Sequence, residues 1–142
     1  MAIRVEPFAR QHLTSFEPAP GQRVDLLTRG RLTTIEQSWS FTAFDEDDTP
    51  LLCAGALPDP DGIWHGWSLF SVHAAGRMVA LTRAVLFLLR HTPSDRIRIA
   101  IEPSSASRRR WATMMGFDPL SRTQTIAGRR LELYERSARC GA

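Results

Sequence analysis

Between residues 38 and 72 the hydrophobic and polar positions repeat with a period of two. Trp39, Phe41 and Ala43 stand against Ser38, Ser40 and Thr42, the alternation that puts successive side chains on opposite faces of a strand. The acidic run Asp45-Glu46-Asp47-Asp48 then turns the chain into the apolar stretch Leu51–Leu57, so the two stretches predict a hairpin with a solvated tip. Pro58-Asp59-Pro60-Asp61-Gly62 is turn chemistry, because proline fixes φ and an Asp-Gly pair tolerates a positive one. A third strand over Ile63–Val72, with Trp64 and Trp67 among its large side chains, completes an antiparallel meander.

The period then lengthens. Gly76–His91 has no glycine or proline inside it, carries Arg90 and His91 where cations suit a helix C-terminus, and stops before Pro93. Its apolar residues surround most of the circumference, which predicts a helix largely buried against a sheet. Arg96–Glu102 returns to alternation and predicts a half-buried strand, parallel to the one ending at Val72 because a helix separates them. Ser104 or Ser105 can cap a helix running to Met115, and Gly116 supplies a left-handed end. Leu120–Ala127 and Arg129–Glu135 predict a last hairpin around Gly128. At the other end, Ala2–Glu6 reads as a short strand closed by Pro7. Phe8–Phe16 begins a helix that Pro18, Pro20 and Gly21 stop, and Gln22 to about Arg29 predicts another, beyond which the helical spacing fails.

Composition adds limits. A chain of this length with 43% hydrophobic and 23% charged residues suits one folded domain, here residues 1–136 with 137–142 as a loose tail. Every one of the 18 basic residues is arginine. They are spread along the chain with one triplet, Arg108-Arg109-Arg110, and no dense basic face with interleaved aromatics, which argues against dedicated nucleic-acid binding. Cys53 and Cys140 are far apart and form no zinc-ligand spacing, so free thiols and no metal site are expected. The N-terminal residues lack the apolar core of a signal peptide, and Met78–Leu89, interrupted by Thr82 and Arg83, is shorter than a membrane span. A soluble protein without a membrane role is the expectation.

The order of elements, together with Glu102–Pro119, resembles the GNAT superfamily of acyl-CoA N-acyltransferases over nearly the whole chain. Ser105–Phe117 is similar to the superfamily pattern N-x-x-A-x-x-x-Y-x-x-x-G-F: Gly116-Phe117 match its end, Ser105 stands at the Asn position, Arg108 at the small residue and Ala112 at the tyrosine that many members use as a general acid. His73-Ala74-Ala75-Gly76-Arg77-Met78 stands where members carry a pyrophosphate loop similar to [QR]-x-x-G-x-[GA], keeping the glycine. Trp67 in HGWSLFSVH, Arg110-Trp111 before the Gly-Phe turn and Gly55 in LLCAGALP give a closer likeness to small GNAT-like proteins of tailed phages and prophages.

That resemblance implies an α/β (α+β) fold with a mixed, mostly antiparallel sheet, a V-shaped splay between two central parallel strands, and helices on both faces. It implies acetyl-CoA as the acyl donor and an amine of a small molecule or protein as acceptor, in a cytoplasmic enzyme. The phage likeness brings both this enzymatic reading and its alternative, a noncatalytic, virion-associated structural or morphogenesis component whose partners are phage-particle proteins. Under the enzymatic reading, Ser71, Val72, His73, Ala74, Ala75, Gly76, Arg77 and Ser105 are the candidate acetyl-CoA-binding residues, with backbone N–H groups and a helix start receiving the anion. His73 and Glu102, each at a strand exit, are the candidate catalytic bases, although residues so placed are more often structural caps or surface residues.

Overall fold

The computed structural model describes residues 3–20, 22, 32–92, 94, 96–126 and 128–137. The helix expected over Gln22–Arg29 and the tail beyond Ser137 lie outside the described residues, Gln22 apart. The strands are β1 (Arg4–Pro7), β2 (Trp39–Phe44), β3 (Pro50–Pro58), β4 (Trp64–Phe70), β5 (Arg96–Ile101), β6 (Asp118–Ile126) and β7 (Arg129–Ser137). They form one mixed sheet in the order β1-β2-β3-β4-β5-β7-β6. The helices are α1 (Leu32–Gln37), α2 (Met78–Leu89) and α3 (Ala106–Met114), with 3-10 turns at Arg10–Ser15 and Val72–Arg77. This is a mixed α/β fold on a mostly antiparallel sheet, as the order of elements implied. By internal contacts the chain divides into two compact units, residues 1–57 with 67–91 and residues 58–66 with 92–142.

In the first unit β1 pairs antiparallel with β2, and Pro7 pairs with Phe41 at the sheet edge, where a missing N–H costs no ladder bond. The β2–β3 hairpin matches its expected strands and tip. Its alternation does not translate into one wet face, because Phe41, Thr42, Ala43 and Phe44 are all buried. Phe8, Phe16, Ile35, Cys53 and Leu69 form the core here, with Trp67 packed against them and edge-on to Phe8 at 5.7 Å. The segment expected to begin a helix at Phe8 makes only the 3-10 turn, and α1 appears where the helical spacing had failed. Arg10 ties the two: its backbone N–H and side chain both donate to Glu36, and its Nη2 donates to Thr33.

The helix after β4 departs from its expected burial. Leu81, Thr82, Val85 and Leu89 make its buried stripe, whereas Val79 is 71% and Phe87 60% exposed. One helix face against one sheet uses only one stripe of the circumference, so apolar residues on the far side stay in water. With the preceding turn, Val72–Leu89 makes an 18-residue helical run of mean hydropathy 1.5, long and apolar enough by composition to cross a membrane.

In the second unit β4 contributes Trp64 and His65, which pair in parallel with Ile97 and Arg98 of β5. β5 continues to Ile101 in an antiparallel ladder with β7, which in turn pairs with β6. Helix α3 ends in a Schellman arrangement: Phe117 N–H donates to Ala112, Gly116 N–H donates to Thr113, and Gly116 has φ +88°. The left-handed cap read from Gly116 is present.

Candidate functional site

Seven of the sequence-predicted site residues, Ser71 to Arg77, lie on one continuous segment in the first unit. β4 ends at Phe70, and the chain enters the 3-10 turn through Ser71, whose Oγ accepts from His73 N–H at 3.1 Å. Ser71 is also held by its backbone: its N–H donates to Leu51 of β3 at 3.0 Å and its carbonyl accepts from Ala74. Where a loop was expected, the chain is already helical. Ser71 and Ala74 are buried, and Val72, His73, Ala75 and Gly76 are exposed. A Cβ added to Gly76 would meet nothing within 4 Å, and its φ is not positive. Neither packing among the described residues nor its own backbone conformation therefore calls for glycine at that position.

Arg77 closes the segment. Its guanidinium donates to both Glu46 oxygens, at 2.6 and 3.3 Å, which holds the Glu46 carboxyl low and raises Arg77 itself. The acidic tip of the first hairpin thus has two kinds of work. Asp45 folds the turn by accepting from Asp47 and Thr49 N–H groups, and Glu46 clamps the start of α2.

A second feature of this segment had no signal in the sequence. Residues 17–20 run antiparallel to the end of β4, with Pro18 opposite Ser71, and Gln22 joins them. Val72 N–H donates to Glu17 at 2.9 Å, Ala19 N–H donates to Phe70 at 2.9 Å, and Phe70 N–H donates to Gln22 Oε1 at 3.1 Å. Since Ser71 bonds β3, and neighbouring residues of a strand point their polar groups to opposite sides, this strap occupies the β4 edge opposite β3.

The other predicted residues sit in the second unit with partners of their own. Glu102 pairs with Arg129, and its carbonyl accepts from Ser105 N–H. Ser105 is the N-cap of α3, with Oγ accepting from Arg108 N–H at 3.4 Å. Ala112, at the position of the superfamily tyrosine, is buried at 1% exposure. The pocket at the β6–β7 register shift, about 310 Å³, is lined by Pro119, Ser121, Arg122, Thr123, Glu132 and Leu133 and holds none of the predicted site residues.

Two histidines have partners that spacing does not reveal. His65 bonds Asp59 at 2.7 Å, which lowers the Asp59 carboxyl, while Asp59 also accepts from Asp61 and Ile63 N–H groups. His12 sits between Phe8 and Phe44 with Nδ1 2.8 Å from the Thr42 hydroxyl, which is 3.6 Å from Cys53 Sγ. Burial pushes the Cys53 thiol up to about 11, which leaves it un-ionised and inert near neutral pH.

No protein-family model matches the chain, and no curated protein matches it in sequence. Solved structures do match its fold. An N-acetyltransferase from Staphylococcus aureus Mu50 superposes with TM-score 0.71 at 11% identity, covering 97% of this chain and 99% of that one. The chain has the fold of the GNAT acetyltransferases. A GNAT superfamily phosphinothricin acetyltransferase from Sinorhizobium meliloti, solved in complex with AcCoA, gives 0.68 at 15% identity over 96% and 89% of the two chains. A Bacillus subtilis acetyltransferase in complex with CoA gives 0.65 at 13% over 95% and 97%.

Proposed function

We propose that the protein is an acetyl-CoA-dependent N-acetyltransferase acting on an amine. One observation carries the reading: within a fold shared with acetyltransferases solved with AcCoA and CoA, the β4 exit leads directly into a helix start whose exposed glycine, Gly76, has open space above it. A glycine at an exposed helical position costs about 1 kcal/mol against alanine. An incoming diphosphate that must approach the backbone supplies a reason to keep it. His73, Ala75 and Gly76 are exposed along that run, where an anion can approach the chain, and Arg77 lies beside them on Glu46.

In the reaction the amine nitrogen bonds the thioester carbonyl carbon, the C–S bond breaks, and the CoA thiolate leaves and takes up a proton. Ala112 offers no phenol for that step, so the proton comes from water or from His73. His73 and Glu102 are the groups proposed to take the proton from the attacking amine. Calorimetric titration with acetyl-CoA, followed by thiol release in the presence of small amines and protein amines, tests the reading. Absence of heat at millimolar acetyl-CoA would end it.

A noncatalytic role in a phage-like particle is the second reading. The buried alanine at the tyrosine position and the strap on the β4 edge favour it, as both remove features that catalysis would use. Co-purification with head or tail proteins is its test, and absence from purified particles would count against it.

A further inference from the structure

The strap of residues 17–20 with Gln22 bonds the same backbone groups that an amide-bearing ligand would use on β4. The Val72 N–H and the Phe70 carbonyl and N–H face away from β3, and the chain itself now satisfies all three. The pantetheine arm of CoA carries two secondary amides, which can add to a strand edge as a short pseudo-strand. It cannot do so while Glu17 and Ala19 hold that edge. The diphosphate end meets no such obstacle, because Gly76 is open.

Resting on the acetyl-CoA reading above, the geometry points to the strap as a built-in competitor: acetyl-CoA binds by displacing Glu17, Ala19 and Gln22 from the β4 edge, and affinity is set by that exchange. The strap is built for release. Phe16, buried in the core cluster, anchors its start, whereas Glu17, Pro18 and Pro20 are exposed. Pro18 and Pro20 have no N–H to donate, so the bond from Ala19 is the only backbone donation either neighbour permits between them. The three bonds that hold the strap use two N–H groups and one carbonyl of β4, which the two carbonyls and one N–H of the two pantetheine amides can replace.

Pro18 and Ser71 are a non-hydrogen-bonded antiparallel pair, the kind with the shorter Cα separation, and suit a disulfide staple. The test compares Pro18→Cys/Ser71→Cys, oxidised and reduced, with acetyl-CoA and with 3′-phosphoadenosine 5′-diphosphate, which keeps the diphosphate and lacks pantetheine. Oxidation is expected to weaken acetyl-CoA at least tenfold relative to the reduced form of the same protein and to leave the nucleotide fragment unchanged. Gln22→Ala, which removes the bond to Phe70 N–H without touching the β4 backbone, is expected to tighten acetyl-CoA by about fivefold, the equivalent of one hydrogen bond. Equal acetyl-CoA affinity in the oxidised and reduced forms, or in Gln22→Ala and the unaltered protein, overturns the strap while leaving the acetyl-CoA reading standing. Failure of acetyl-CoA to bind the unaltered protein, the reduced form and Gln22→Ala alike overturns that reading, and the strap proposal with it.

Discussion

Gly55 on β3 lies so close to Ser40 on β2 that a Cβ built on it would stand 2.8 Å from the Ser40 Cα and Cβ, and 2.5 Å from the Trp39 carbonyl oxygen. Those neighbours are mostly backbone, within a hairpin whose β3 residues are buried from Pro50 to Ala56. Nothing there can swing aside. Gly55→Ala is therefore expected to force the two strands apart and to cost about 1–3 kcal/mol, toward the upper end because backbone must move. A urea transition with a lower midpoint and unchanged slope would show it. An unchanged midpoint would mean that the hairpin breathes more easily than its packing implies.

The Ala9 amide, which can only donate, bonds His12 Nδ1 at 3.2 Å, so that nitrogen presents its lone pair and the neutral ring carries its proton on Nε2. Burial lowers the His12 pKa, Glu6 partly offsets that, and Arg4 adds to it. Protonation at Nδ1 would forfeit the bond from the Ala9 amide and reverse the direction of the one with Thr42. A folded-state pKa below the unfolded value near 6.5 means that the unfolded chain takes up the proton first. Stability is then full above pH 6.5 and declines as pH falls through the folded pKa. Denaturant midpoints between pH 7.5 and 5 should show this fall, and His12→Gln should flatten it. A slope that survives the substitution would assign the effect to another group.

Glu135 receives Arg96 at 3.0 and 3.2 Å and Arg98 at 3.0 Å, across the β5–β7 ladder. Burial pushes its carboxyl up, but the two guanidinium groups outweigh that and hold it low. Its contribution to stability is present above the ordinary carboxylate range and is lost as pH drops through the depressed folded value. Glu135→Gln removes the charge that both arginines face, and Arg98 is itself mostly shielded from solvent. A loss of about 1–3 kcal/mol is expected, independent of pH in the acid range where the unaltered protein weakens. Coincident acid curves for the two proteins would contradict it.

The hairpin, the long helix and the Gly116 cap were readable from the chain because their causes are local: alternation, turn residues and one positive φ. Features made by distant partners left no such trace. Thr42 reads as an outward polar residue, yet it is fully buried, because His12 reaches it from the 3-10 turn and covers what the alternation marks as the wet face. Helix α1 has a single buried residue, Ile35, in six, too short a run to show a period. The strap joins Glu17 and Ala19 to residues more than fifty positions away through backbone atoms, which side-chain patterns do not encode. Among the site candidates, Ser71–Arg77 were legible as one segment because a strand exit before a helix is a local event. That Arg77 rests on Glu46, and Glu102 on Arg129, required the coordinates.

The motif count puts Ala112 where a tyrosine stands in many GNAT acetyltransferases, which invites the substitution Ala112→Tyr as a way to supply a general acid. The structure predicts that it fails, and for a reason separate from chemistry. Ala112 is buried to 1% exposure and its carbonyl accepts the N–H groups of Met115 and Phe117 that close the end of α3. Met115, equally buried, and Phe117, also buried, follow directly at that end. A phenol added there has to displace packed side chains, at a cost of about 1–3 kcal/mol or more. The expected outcome is a lower thermal midpoint with no gain in acetyl transfer. The smaller Ala112→Ser, which adds one hydroxyl to the same buried spot, should lose less, on the order of 1 kcal/mol, if the backbone carbonyls of α3 accept its proton. A tyrosine variant as stable as the unaltered protein would show that the end of α3 opens to admit a ring, and would return position 112 to the candidates for proton transfer.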